Sequence, residues 1–277
     1  MENPKNFETI RDFGQQWKQF PNPIDEFHSS EEILRDTVQG LFELSEIAGK
    51  RVLEIGSGSG RVLEILRRFG PSKLVGVEPS DHALVLKERF ASNPEVRIVR
   101  ARGDEQLNEK FDACFLIGVL HHIPEPEPVL RNVFNSLAED GCLVVWVYGR
   151  EGISQLGVYA IMGLRIVTTR VPDRLLQAFS SFLAACIRLY GHLAIRTGAA
   201  NLPMKGYLSH VFLKCSVDKQ VEIVFDQLNP QCARYYRKSE LLKEMHAAGF
   251  TRIAMASRHG YSITAVATRV NSNTQRQ

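Results

Sequence analysis

Short, continuous apolar runs recur along the first half of the chain, at residues 52–55, 73–77, 96–99, 111–117 and 142–148. A run that is apolar throughout, and not only at alternate positions, predicts a strand buried on both faces, as in a parallel sheet. Between the runs the spacing predicts helices over 62–69, from Ser80 onwards, and from 124–128 to near Gly141. Upstream, Ser29 and Glu32 have capping-box spacing before an apolar stripe of Ile33, Leu34, Val38, Leu41 and Leu44. Downstream, Ser216 opens a helix that 226–230 breaks, a second covers 239–248 with Gly249 closing it, and two strands at 252–257 and 262–268 end the pattern. Strands that alternate with helices predict a doubly wound α/β sheet.

Residues 149–215 interrupt this alternation. Helical spacing covers 153–169, apolar on nearly all sides, and a second helix runs from Asp173 to about Leu193. At 100° per residue, Leu175, Phe179, Phe182, Leu183, Cys186, Ile187 and Tyr190 share one face, with Gln177, Ser181, Arg188 and His192 opposite. Such segregation predicts an amphipathic cap whose apolar face is buried against the domain. A membrane-spanning helix fits less well, because Arg188 at its middle would cost about 2.5–3.5 kcal/mol. Peripheral membrane contact through this insertion is the alternative, since Arg165, Arg170, Arg174, Arg188 and Arg196 are all basic.

The first apolar run leads into Glu54-Ile55-Gly56-Ser57-Gly58-Ser59-Gly60-Arg61. A strand, a glycine turn and a helix open a nucleotide-binding sheet, with the glycines allowing positive φ and close ligand approach. A dinucleotide turn would hold a small residue where Arg61 stands. Glu54 would repel a pyrophosphate but suits a ligand carrying an ammonium, such as S-adenosylmethionine. Glu78, about twenty residues beyond the turn, is placed to accept hydrogen bonds from ribose hydroxyls.

With Glu54, the turn resembles motif I (E/D-x-G-x-G-x-G) of class I S-adenosylmethionine-dependent methyltransferases. A second motif, F-D-x-x-x-x-x-G-V-L-H-H-I from Phe111 to Ile123, closely matches that family's segment after strand four. The resemblance is to the small-molecule type, with a methyltransferase type 11/12-like domain. It implies a mostly parallel, seven-stranded, Rossmann-like sheet, here with a helical insertion after strand five and a terminal antiparallel hairpin. It implies S-adenosyl-L-methionine as cofactor, with Glu54 on the ammonium, Gly56, Ser57, Gly58 and Gly60 along the methionine part, and Glu78 and Pro79 at the ribose. It also implies Asp104 at the adenine, with Ile117, Gly118 and His121 in the post-strand loop. The segment F-G-x-x-W, Phe13 to Trp17, is similar to one in many such enzymes and suggests a lid carrying Trp17 over the cofactor; a strap over the sheet is the plainer reading. The stretches V-F-D-Q-L-N-P, A-R-Y-Y and R-H-G-Y-S also look like segments of bacterial methyltransferases with a helical insertion.

The His121–His122 pair invites a metal reading, but adjacent histidines diverge and no acidic or thiol cluster lies nearby, so no metal is expected. Residues that the topology brings towards the acceptor are Trp17, His121, His122, His210, Asp226, Tyr235, Tyr236 and His259. His122 is the first choice as base, since a neutral histidine titrates near the working pH. Asp226 and Tyr236 are orienting or alternative groups.

The chain has 277 residues, 44% hydrophobic and 23% charged, as a soluble globular protein would. This suggests a lid segment and first helix at 1–48, a cofactor-binding core at 49–150, a cap at 151–215, the rest of the core at 216–270 and a disordered tail at 271–277. The net charge of +3 argues against nucleic acid as partner. Five scattered cysteines without C-x-x-C, and a polar start unlike a secretory signal, suggest a cytoplasmic protein. The expected activity is methyl transfer to a small-molecule or lipid-like acceptor. A catalytically silent cofactor-binding module, a nicotinamide oxidoreductase and a membrane-surface protein acting on a lipid-linked substrate remain as rivals; the oligomeric state is open.

Overall fold

The computed structural model describes residues 10, 11, 14, 25–198, 202–229 and 232–270. Trp17 and most of the aromatic N-terminal segment lie outside the described residues, as does the 271–277 tail. The parallel strands are β1 (Arg51–Ile55), β2 (Lys73–Val77), β3 (Val96–Val99), β4 (Phe111–Ile117) and β5 (Leu137–Tyr148). With β6 (Arg252–Arg258) and β7 (Ser262–Thr268) they form one seven-stranded sheet in the order β3-β2-β1-β4-β5-β7-β6. β7 runs antiparallel to both β5 and β6. The order reverses between β1 and β4, and it is outside the carboxyl ends of strands at such a reversal that α/β sheets bind ligands.

Helices cover both faces. Before the sheet lies α1 (Glu31–Val38); α2 (Arg61–Arg67), α3 (His82–Arg89) and α4 (Pro126–Ser136) cross between the parallel strands. One core layer packs Leu34, Leu63, Leu66 and Leu86 on Val52, Leu74, Phe115 and Val144. The other packs Val129, Leu130 and Val133 on Leu53, Val75, Leu116 and Val145. Two boundaries differ from the expectation. Ser30, not Ser29, caps α1, its hydroxyl accepting from the Ile33 amide at 3.3 Å. The helix expected to reach Gly141 ends at Ser136, because Leu137 already pairs with Phe111 across a register shift and the chain turns at Asp140, φ 58°.

The insertion folds as α5 (Gln155–Thr168), α6 (Asp173–Arg196) and α7 (Lys205–His210), followed by α8 (Val217–Leu228); α9 (Lys238–Ala247) then returns to the sheet. Here the expected burial of α6 is corrected. Its buried line is Leu176, Ser180, Ala184, Gly191 and Ala194. Small side chains let the helix approach its neighbours closely, and a Cβ on Gly191 would stand 3.1 Å from Leu213 Cδ1. Leu183 and Ile187 are half-buried on the flank, whereas Leu175 (63% exposed) and Phe182 (66%) face outwards, with Phe179, Cys186 and Tyr190.

A buried charge ties α1 to the far edge of the sheet. Arg258, 2% exposed, donates Nε to Asp36 Oδ2 at 2.8 Å, and His259 Nε2 donates to the same carboxylate at 3.0 Å. Burial pushes the Asp36 carboxyl up, but the His259 hydrogen bond and the Arg258 charge outweigh it and hold the group at about 2, below its ordinary 3.8. Stability from this carboxylate is thus complete above pH 3.8 and is lost as pH falls towards 2. Asp36→Ala leaves the guanidinium buried and unpaired, so urea unfolding should show a loss of about 3–5 kcal/mol near neutral pH. The difference from wild type should shrink through that acid window; an unchanged midpoint at neutral pH would contradict the role.

Candidate active site

The turn after β1 is shaped by glycine where nothing else fits. Gly56, Gly58 and Gly60 have φ of 76°, 50° and 76°, the left-handed region that side chains disfavour. A Cβ on Gly56 would lie 2.4 Å from Val119 Cγ2, so the β4 loop closes directly over the turn. Gly60 serves packing: it caps α2, and a Cβ there would meet Leu86 Cδ2 at 2.7 Å. The Gly58 amide donates to Glu78 Oε2 at 2.9 Å, while Glu78 Oε1 accepts from the Ser80 amide and hydroxyl at 3.0 and 2.6 Å. The carboxylate at the end of β2 therefore holds the turn and keeps lone pairs for further donors.

Two cavities open at this sheet edge. The smaller, about 160 Å³, is lined by Glu78, Pro79, Arg102, Gly103 and Asp104 among others. The larger, about 670 Å³, has Glu54, Ser57 and Ile117 at the sheet and extends beneath the cap to Ile161, Leu183, Leu208 and Val224. Gly56, Gly58, Gly118, Val119 and His122 line both, so the two meet there. Asp104 reaches the smaller cavity in a two-point pair with Arg102, at 3.0 and 2.8 Å.

Five expected site residues lie outside the lining of both cavities. His121 is fully buried and lines neither cavity; its ring packs 3.8 Å from that of Tyr148. Gly60 lines neither. Tyr236 belongs to the core, its hydroxyl donating to Glu244 Oε2 at 2.9 Å. The cause is alternation: residue 236 bridges Gly149 in an extended segment, so Tyr235 points the other way, into the larger cavity. His210 and His259 stack on each other outside the cavity lining, 4.5 Å between rings. Among the described residues no group of His, Cys, Asp and Glu is placed to hold a metal.

Several buried polar atoms on the larger cavity have no hydrogen-bond partner among the described residues: Glu54 Oε2, Ser57 Oγ, His28 Nδ1 and Trp146 Nε1. Unsatisfied groups are rare in folded proteins, and their gathering on one wall points to a ligand that satisfies them. Glu54 is 2% exposed, and burial pushes its carboxyl up to about 8. His122 is held by Nδ1, 2.8 Å from the Cys232 carbonyl. A carbonyl only accepts, so Nδ1 carries the proton and Nε2 is the basic nitrogen. Burial lowers the His122 pKa, and the Asp226 charge opposes that. Tyr148 donates its hydroxyl to Asp226 Oδ2 at 2.9 Å and stacks on Tyr235.

The sequence profile described as a methyltransferase domain matches residues 26–254. The chain belongs to this methyltransferase-domain family. It is similar to a tRNA U34 carboxymethyltransferase of Campylobacter lari, 31% identical over 35% of each chain. A ubiquinone biosynthesis O-methyltransferase of Azorhizobium caulinodans is 28% identical over 61% of this chain and 65% of that one. The alignments thus span about a third to two thirds of these curated relatives. In fold it is similar to the 1,6-didemethyltoxoflavin-N1-methyltransferase of Burkholderia thailandensis, with a TM-score of 0.52, 15% identity, and 98% and 92% of the two chains covered.

The cofactor of this methyltransferase family is S-adenosylmethionine, and the cleft fits it. Glu54 Oε2 offers a buried acidic acceptor with no hydrogen-bond partner among the described residues, Glu78 retains lone pairs, and Gly56 leaves the turn open. Tyr148 is a lining residue that the motifs did not single out, and Val119, within the second motif, carried no assigned role; both stand at or just beyond carboxyl ends of strands, where that topology places ligands.

Near neutral pH, Glu54 in the free protein is mostly protonated, so pairing with an ammonium must release a proton. Calorimetry in buffers of different protonation enthalpy should show that release, and affinity for S-adenosylmethionine should rise with pH until about 8. Glu54→Gln should remove both effects; proton release that persists in the variant would rule out this pairing. Glu78→Ala should weaken binding by about 1–3 kcal/mol, roughly 5- to 150-fold.

Proposed function

We propose that this protein transfers a methyl group from S-adenosylmethionine to a small-molecule or lipid-like acceptor bound in the larger cavity. The observation that carries this reading is the place of His122, on the wall common to the cofactor cleft and the cavity beneath the cap. Bound S-adenosylmethionine supplies an electrophilic methyl with its leaving group already attached. The residues have to position the acceptor, exclude water and take its proton.

Apolar side chains of α5, α6 and α8 line the part of the cavity beneath the cap, which favours an acceptor with a substantial apolar body. His122 Nε2 accepts the proton of an acceptor hydroxyl. The imidazolium so formed is favoured by Asp226, which the Tyr148 hydroxyl holds in place. The buried Lys219–Glu222 pair, 2.7 Å apart, and Arg61 add a polar zone on the same cavity that suits a polar head group.

Because burial lowers the His122 pKa below the ordinary 6.5, its basic form persists as pH drops through that value. With an identified acceptor, kcat should therefore fall only at more acid pH. His122→Ala should reduce kcat by about 10²–10⁴-fold while calorimetry finds S-adenosylmethionine affinity nearly unchanged. A parallel loss of affinity would make it a cofactor-loop residue, and full activity would remove it from the reaction. The direct test of function is incubation of metabolite extract with methyl-labelled cofactor, followed by identification of the labelled product. Binding without any S-adenosylhomocysteine formation would leave a silent cofactor-binding module.

A further inference from the structure

The outward face of the cap is apolar on both of its long helices. Ile166 and Val167 on α5, and Leu175, Phe182, Leu189 and Leu193 on α6, are all at least half exposed. On a helical wheel the four α6 residues fall within about 40° of one another, so they form a single stripe. Exposed apolar surface gathered in this way marks a contact site and differs from scattered surface leucines.

Two observations say what covers it. The first is charge. Residues 152–198 contain five arginines and a single acid, Asp173. Arg165 is buried, but Arg170, Arg174 and Arg196 are exposed, and among the described residues none of these three is in an ion pair. Basic residues bordering an apolar stripe complement an anionic lipid surface. They oppose a second copy of the chain, whose identical face would bring arginine to arginine. The second observation is continuity with the cavity. Leu156, Leu164 and Tyr190 line the larger cavity and are also exposed, so they form a rim opening on the cap.

We propose that the exposed face of α5 and α6 docks on an anionic lipid bilayer, so that the mouth of the acceptor cavity meets the membrane surface. The cavity's role as acceptor site rests on the methyl-transfer reading; docking does not. An apolar acceptor dissolved in the bilayer would then enter past Leu156, Leu164 and Tyr190 without crossing water.

Flotation of the full chain with vesicles of phosphatidylcholine plus phosphatidylglycerol, and of phosphatidylcholine alone, tests this. The protein should float with the anionic vesicles, weakly with the neutral ones, and less as salt screens the arginines. The double variant Phe182→Asp/Leu189→Asp changes exposed residues away from both cavities, and it should lower the partition by about tenfold or more. Calorimetry without vesicles should find its S-adenosylmethionine affinity equal to wild type. Loss of that affinity in the wild-type chain would defeat the methyl-transfer reading alone. No flotation of wild type with anionic vesicles, or equal flotation of the variant, would overturn docking. Concentration-dependent self-association that the variant abolishes, without flotation, would assign the face to a second copy.

Discussion

A carboxyl group buried near the end of β1, beside the central strand, is the constraint on which this architecture depends. Glu54 is almost wholly withdrawn from water, and its Oε2 has no hydrogen-bond partner among the described residues. Desolvation disfavours its charge, so the group is at its most stable when a cation is brought to it. The three left-handed glycines let the chain turn away beside it. Val119 closes against Gly56, Glu78 fixes Gly58, and the cleft between β1 and β4 stays open at the position where the strand order reverses. An unpaired carboxyl at this point makes sense as half of a ligand contact.

The second half of the site follows from what stands on the other side of that cleft. His122 is held by a backbone carbonyl, and Asp226 comes from the last turn of α8, a helix outside the alternating βα pattern. The insertion thus covers the cavity, and the helix that follows it supplies Asp226. Family membership rests on the 26–254 match, while the proposal for the acceptor rests on the cavity beneath the cap.

How much of this was legible in the sequence depended on the range of the interaction. The sheet, the glycine turn and Glu78 follow from local patterns, because buried parallel strands are apolar throughout and the turn needs positive φ. The burial of α6 did not follow. A hydrophobic wheel seeks the bulkiest stripe, whereas this helix buries Ser180, Ala184 and Gly191 to come close to its neighbours and leaves Phe182 outside. The choice between Tyr235 and Tyr236 turned on the phase of one extended segment, set by the pairing of residue 236 with Gly149. His121 and His122 are separated by the single helical turn over Leu120–His122, which sends successive side chains in different directions. The first is packed under Tyr148 and the second lies open to both cavities.

The most direct measurement is a crystal structure of the protein with S-adenosylhomocysteine. The account predicts the ligand's amino group within about 3 Å of a Glu54 oxygen, its ribose hydroxyls on Glu78, and its sulfur turned towards His122 and the cavity beneath the cap. A ligand seated with Glu54 still unpaired, or with its sulfur turned away from that cavity, would contradict it.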